Sequence, residues 1–178
     1  MQYASPDAPE RARRVKLMLF DVDGVLTDGR LWYGAAGEEI KAFHAADGHG
    51  VKMLGESGVQ LGLLSGRSSP AIAGRAAELG IGHVLLGVAD KRRGFEALLG
   101  RLGLPAEAAG YMGDDLVDLP VLTRCGFACA PAEAPEEVRK RVHCVPAAPA
   151  GAGAARAVCE YIMRAQGSFE KALKAYLA

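Results

Sequence analysis

The stretch VKLMLFDVDG, Val15 to Gly24, decides how the rest of the chain is read. Its first part, VKLMLF, is a short apolar block with arginines before it and the turn-formers Asp and Gly after it. That pattern reads as a strand buried in a parallel sheet. Two carboxylates, Asp21 and Asp23, follow at once. In an open parallel sheet ligands bind beyond the carboxyl ends of the strands, where both acids would project. Acids so close together repel each other and are costly to ionise in a partly dry crevice unless a cation or a proton is shared between them. The motif asks for a metal.

Working outward, blocks of the same kind recur at Val59 to Leu64 (VQLGLL), His83 to Leu86 (HVLL), Gly110 to Met112 (GYM) and Gly126 to Cys129 (GFAC). Segments with helical spacing lie between them. Ser68 to Leu79 puts Ile72, Ala73, Ala76 and Leu79 on one face and closes at Gly80, and Lys91 to Leu102 repeats the design and closes at Gly103. Asp115 to Arg124 and Gly153 to Gln166 are further helix candidates. Strands alternating with helices of this length predict an α/β, doubly wound parallel sheet covered on both faces. One stretch breaks the alternation. Between Gly24 and Phe43, LWY, the turn-former GAAG and EEIKAF predict a small β-hairpin inserted after the first strand, too short to be a cap domain. PAAPAGAGAA, from Pro146 to Ala155, reads as a loop, and the tail from about residue 167 to 178 as a short helix or an arm.

Bulk properties narrow the classes. The chain's 178 residues suit one domain spanning 1–178. Lys plus Arg equals Asp plus Glu at 21 each, so no global basic field exists to attract nucleic acid or an anionic membrane. No apolar run reaches membrane-spanning length and the first residues lack a secretory core, so a cytoplasmic protein is expected. Cys125, Cys129, Cys144 and Cys159 lack the spacing of a zinc site and read as reduced, partly buried thiols.

Three more elements stand at strand ends. Gly113-Asp114-Asp115 with Asp118 follows GYM, and hard oxygen ligands of this sort suit Mg²⁺, although Asp115 would equally cap the helix after it. Ser65-Gly66-Arg67 follows VQLGLL, offering a hydroxyl and open backbone N–H groups to an anion. Lys91, at a helix start, supplies a point positive charge.

In this order the four elements resemble the signature of the haloacid dehalogenase superfamily, and the match spans nearly the whole chain. More narrowly, FDVDGVLTDG, WYGAAGEEIKAFHAADGHGVKML, LLSGR and MGDDLVDLPVL resemble the cap-less 3-deoxy-D-manno-octulosonate 8-phosphate phosphatases. The resemblance implies a Mg²⁺-dependent phosphomonoester hydrolase of lipopolysaccharide precursor synthesis, assembled as a homotetramer through its hairpins. It implies Asp21 as nucleophile, Asp23 as general acid and base, and a metal held by Asp21, the Asp23 carbonyl and Asp114. Ser65, Gly66 and Lys91 would clamp phosphoryl oxygens. Arg67 suits the carboxylate of an acidic sugar, or is an exposed first-turn arginine. Thr27 lines the site or sits in the turn. Asp118 positions Lys91 or the metal's waters, and His44, Asp47 and His49 lie near the pocket edge, with capping an equal account of Asp47. Trp32 and Tyr33 would pack on another chain. A nine-carbon acidic sugar 9-phosphate is the alternative substrate. A receiver domain is disfavoured, since no lone Asp ends a middle strand, and a non-catalytic assembly module is disfavoured because every motif acid is present.

Overall fold

The computed structural model describes residues 1–177. The strands are β1 (Tyr3–Ala4), β2 (Leu17–Phe20), β3 (Trp32–Tyr33), β4 (Glu39–Ile40), β5 (Gln60–Leu64), β6 (His83–Leu85), β7 (Ala109–Met112), β8 (Phe127–Cys129) and β9 (Cys144–Val145). The helices are α1 (Ala8–Arg13), α2 (Ala45–Glu56), α3 (Pro70–Leu79), α4 (Lys91–Leu102), α5 (Leu119–Leu122), α6 (Glu136–Arg139), α7 (Ala154–Ala165) and α8 (Phe169–Leu177).

Seven strands form one sheet in the order β1-β9-β8-β7-β2-β5-β6, and all pairings are parallel except β1 against β9. The doubly wound α/β expectation therefore holds, with an antiparallel edge added. The apolar block Leu17–Phe20 is the central strand, and all four of its side chains are buried. Alternation sends Met18 and Phe20 to the face covered by α1, α2, α3 and α7, and Leu17 and Leu19 to the face covered by α4 and α5. From β2 the chain builds outward to β5 and β6 on one side, then crosses to β7 on the other. Strand order reverses there, so a crevice opens beyond the carboxyl end of β2. Asp21 is the next residue.

Helix ends follow local chemistry. Ser69 caps α3, accepting from the Ile72 N–H at 3.4 Å, and Asp90 caps α4, accepting from the Arg93 N–H at 3.0 Å. Both helices stop at left-handed glycines, Gly80 and Gly103.

Several elements depart from the sequence reading. Helix α2 is glycine-rich, and its sequence carries no helical pattern. It forms because it packs against α7 so closely that a Cβ at Gly50 would lie 2.9 Å from the Arg156 Cα, a proximity that hydrophobic patterning does not reveal. The helix expected over Asp115 to Arg124 is a 3₁₀ turn, Leu116–Asp118, followed by the four residues of α5. It is broken because the Asp118 side chain turns back to accept from the N–H groups of Asp114 and Asp115. Strands β1 and β9 and helices α1 and α6 are too short for periodicity to show. The tail is helical, anchored by buried Phe169 under the Arg164 guanidinium, 3.6 Å from the ring centre.

The hairpin is present as β3 and β4, and among the described residues no separate cap domain covers the sheet edge. Its four-residue turn needs Gly37 at a φ of +84°. All four cysteines are free and buried. Among the described residues no helix is long and apolar enough to cross a membrane.

Candidate active site

The register of the sheet brings the sequence motifs together. Phe20 is level with Met112 on one side and Leu63 on the other, so Asp21 emerges between the strand ends that lead to Gly113 and to Ser65. The Asp21 carboxylate is buried, and the Lys91 ammonium approaches it at 3.1 Å. Lys91 is fixed from behind: it donates to Asp118 at 2.7 Å and lies 3.4 Å from the Tyr111 hydroxyl, which itself donates to Asp118. Asp118 is fully buried, and its other oxygen takes the Asp114 and Asp115 N–H groups at 3.0 and 3.2 Å. This side chain locks the Gly113–Asp118 loop to the lysine. Glycine is required at 113 because a Cβ there would lie 2.5 Å from the Asp118 carboxyl carbon. Asp115 caps the 3₁₀ turn, accepting from the Leu116 N–H at 2.7 Å.

One oxygen from each of Asp21, Asp114 and Asp118 lies within 4.8 Å of the others. Burial, and next the negative charge of Asp118, push the Asp21 carboxyl up to about 6 and that of Asp114 up to about 7. Around Lys91 burial opposes the charge, but Asp21 and Asp118 outweigh it and hold the ammonium above its usual value. Since Asp118 is already saturated with donors, Asp21 and Asp114 are the acids with capacity to spare. Two hard carboxylates that cannot comfortably ionise side by side fit Mg²⁺, which keeps several waters and needs few protein ligands.

Asp23 faces the other way. Its Oδ1 accepts from Lys41 Nζ, and its Oδ2 lies 3.8 Å from Arg67 Nε without a hydrogen bond. Lys41, whose side chain is 1 % exposed, also pairs with Glu39. Its two carboxylate partners overcome the penalty of burial and raise its pKa above the usual lysine value. Arg67 donates to Glu39 and to the Tyr33 hydroxyl, each at 3.1 Å. The hairpin thus reaches back over the edge of its own chain that carries Asp23 and Arg67.

The remaining expected residues are placed as follows. Ser65 is buried, and its hydroxyl accepts from the Arg67 N–H at 3.2 Å. Gly66 lies in open space, 3.8 Å being the nearest approach a Cβ would make to the Val88 carbonyl. Gly24, at a φ of +83°, packs so tightly that a Cβ would fall 2.1 Å from Asp114 Oδ2. The Thr27 hydroxyl accepts from the Gly24 and Gly29 N–H groups at 3.4 and 3.2 Å and lies 3.4 Å from the Val22 carbonyl, so it closes the turn after β2. Asp47 does cap, but it caps α7, accepting from the Gly153 N–H at 3.0 Å and the Arg156 N–H at 2.7 Å. A cavity of about 380 Å³ opens beside Asp114, with Asp28, Asp115 and Glu133 also on its wall. An anion would avoid that acidic side and lie toward Lys91.

Sequence reasoning missed Lys41, Glu39 and Tyr111. Tyr111 carried a usable signal, because a tyrosine inside a buried strand needs a partner for its hydroxyl. Charged residues on a small hairpin carry none, being ordinarily solvated.

Known proteins resemble this chain over most of its length. The 3-deoxy-D-manno-octulosonate 8-phosphate phosphatase KdsC of Haemophilus influenzae is 44 % identical over 158 residues, 89 % of this chain and 88 % of the relative. The chain belongs to this phosphatase family. No protein-family model matches it. Among phosphatases of solved structure, a probable YrbI-family phosphatase from Pseudomonas syringae superposes with a TM-score of 0.95 at 46 % identity, over 98 % of this chain and 99 % of the other. A 3-deoxy-D-manno-octulosonate 8-phosphate phosphatase from Moraxella catarrhalis, crystallised with magnesium, phosphate and KDO, gives 0.94 at 36 % identity, over 96 % and 98 %.

Proposed function

We propose that this chain is a magnesium-dependent phosphomonoester hydrolase that removes the phosphate of 3-deoxy-D-manno-octulosonate 8-phosphate, in lipopolysaccharide precursor synthesis, through a phosphoenzyme on Asp21. One observation carries the reading: Asp21 stands at the carboxyl end of the central strand with the Lys91 ammonium 3.1 Å away and Asp114 beside it. The Haemophilus influenzae and Moraxella catarrhalis relatives are phosphatases named for this ester, and the chain spans 88 and 98 % of their length.

In the first half-reaction an Asp21 oxygen attacks phosphorus in line, and the Asp21–phosphorus bond forms as the ester P–O bond breaks. Asp23 gives its proton to the departing sugar oxygen. In the second, Asp23 takes a proton from the water that attacks the aspartyl phosphate, which frees inorganic phosphate and Asp21. Lys91, Ser65 and the backbone at Gly66 hold phosphoryl oxygens, and Arg67 turns from Glu39 to the carboxylate of the sugar. Thr27 keeps the turn that carries Gly24 into the site. Asp21, the Asp23 carbonyl and Asp114 would hold Mg²⁺, which when bound would supply charge neutralisation.

The chain acts in the cytoplasm as a homotetramer with the hairpins at its interfaces. In support, Trp32 and Ile40 are cross-strand partners on the outer face of the hairpin, 55 and 52 % exposed. Phosphate release should be measured over eight-carbon and nine-carbon acidic sugar phosphates and hexose phosphates. Turnover is expected chiefly on the eight-carbon ester, to stop with chelator, and to vanish in Asp21→Asn with the fold intact. Preference for hexose phosphates would overturn the substrate, and a fully active Asp21→Asn would overturn the nucleophile.

A further inference from the structure

Asp23 follows the central strand by three positions and its side chain is 18 % exposed, so nothing in its own turn fixes which way its carboxylate points. The hairpin does. Lys41 Nζ donates to Oδ1, and on its far side the same ammonium is tied to Glu39. Glu39 in turn holds Arg67, whose Nε faces Oδ2. With Oδ1 taken, Oδ2 is left without a hydrogen bond although buried, and so is Arg67 Nε opposite it. A buried acceptor and a buried donor left facing one another at 3.8 Å mark where a further polar atom belongs. Lys41 is not free to supply that atom, because its buried ammonium is already held by Asp23 Oδ1 and Glu39.

We propose that Lys41 is a positioning residue for the departing group: it pins one oxygen of Asp23 so that the other is aimed at the ester oxygen of the substrate. This rests on the reading of Asp23 as general acid. Lys41 forms no bond to phosphorus and exchanges no proton with substrate; it fixes a torsion. Misplacing a reacting group by about 1 Å costs on the order of a hundredfold, which sets the scale of the effect. The ammonium does this from a hairpin whose turn is closed by its own backbone, the Gly34 N–H donating to the Glu38 carbonyl at 2.9 Å and the Gly37 N–H to the Gly34 carbonyl at 3.0 Å. Hairpin and catalytic edge are therefore registered through one side chain.

The test is a leaving-group comparison. A sugar alkoxide must be protonated as it departs, whereas p-nitrophenolate need not be. In Lys41→Met, kcat/KM for 3-deoxy-D-manno-octulosonate 8-phosphate is expected to fall tenfold to a hundredfold, and that for p-nitrophenyl phosphate by no more than a few-fold. The ratio of the two values does not depend on how much of the variant is folded. In an Asp23→Asn background the same substitution is expected to cost little more, since the group it positions is gone. Equal losses on both esters, or full additivity with Asp23→Asn, would overturn the assignment. If the wild type ignores the eight-carbon ester but cleaves another sugar phosphate, the substrate reading fails and the ratio is taken with that ester. If it cleaves no phosphomonoester, both readings fall.

Discussion

Each of the two aspartates that follow the central strand has its own lysine, and each lysine has a second carboxylate paired with it. Asp21, Lys91 and Asp118 form one acid–lysine–acid set; Asp23, Lys41 and Glu39 form the other. The sets differ in what carries them. The first is built on the central strand, the first turn of α4 and the loop after β7, with Asp118 fully buried. The second hangs on a ribbon of two-residue strands, with Asp23 and Glu39 side chains 18 and 13 % exposed. Charges that resemble each other on paper are thus embedded to different depths. Both lysines are buried, but one set of acids is nearly or fully buried and the other reaches water, so the first lysine is integral to the fold and the second chiefly sets direction.

The largest effect should come from Lys91→Met. It strands Asp118 and Asp21 in the interior, so a loss of about 3–5 kcal/mol in urea unfolding is expected, together with a fall of a hundredfold or more in turnover. Lys41→Met should cost only about 1 kcal/mol, because its partners are partly hydrated. Equal destabilisation by the two variants would erase the distinction between the two sets.

A second expectation concerns pH. Asp21 and Asp114 have carboxyl groups raised in the folded state to about 6 and about 7 from 3.8. A raised acid binds its proton more tightly when folded. Its penalty on stability is therefore absent below about 4, grows as pH climbs through 6 and 7, and stays in full above that. A cation relieves that penalty, and protons compete with it. The rise in melting temperature on adding Mg²⁺ should accordingly be larger at pH 8 than at pH 5.5, and an equal rise at both would remove Asp21 and Asp114 from the metal site.

Asp47→Ala provides an acid without a lysine. It should lose about 1–2 kcal/mol as a helix cap while kcat is kept. A large drop in kcat would return Asp47 to the pocket. The smallest effect on the single chain is expected for Trp32→Ser, which should leave unfolding unchanged and weaken self-association in sedimentation. Unaltered assembly would place the subunit contact elsewhere.

The difference between the two sets also explains what could be read from sequence. Asp21 stands one step beyond an apolar strand, Asp114 two steps beyond another and Lys91 at the start of a patterned helix, so periodicity locates all three, and Asp118 is legible through its spacing from Asp114. Asp23 was legible as a residue, but its partners were not. Glu39 sits on a strand too short to carry a period and Lys41 just beyond it, and their meeting with Asp23 depends on how the hairpin folds back. The same limit hid α2, whose glycines signal a break locally yet serve close packing against α7. It also hid β1 and β9, which pair across nearly the whole length of the chain. Arg67 was found and its neighbours were not: Glu39 and Tyr33 already occupy its guanidinium, so a sugar carboxylate would have to displace a resident partner.

Gly24 has a consequence for how this chain can vary. Its backbone angle suits only glycine, and the space a Cβ would fill belongs to Asp114. A substitution there strains the turn and displaces a carboxylate of the acidic cluster in a single step. Gly100, within α4, has nothing within 4 Å of where a Cβ would lie. In a saturation library, position 24 should come back as glycine alone, while position 100 should accept alanine at no loss of function.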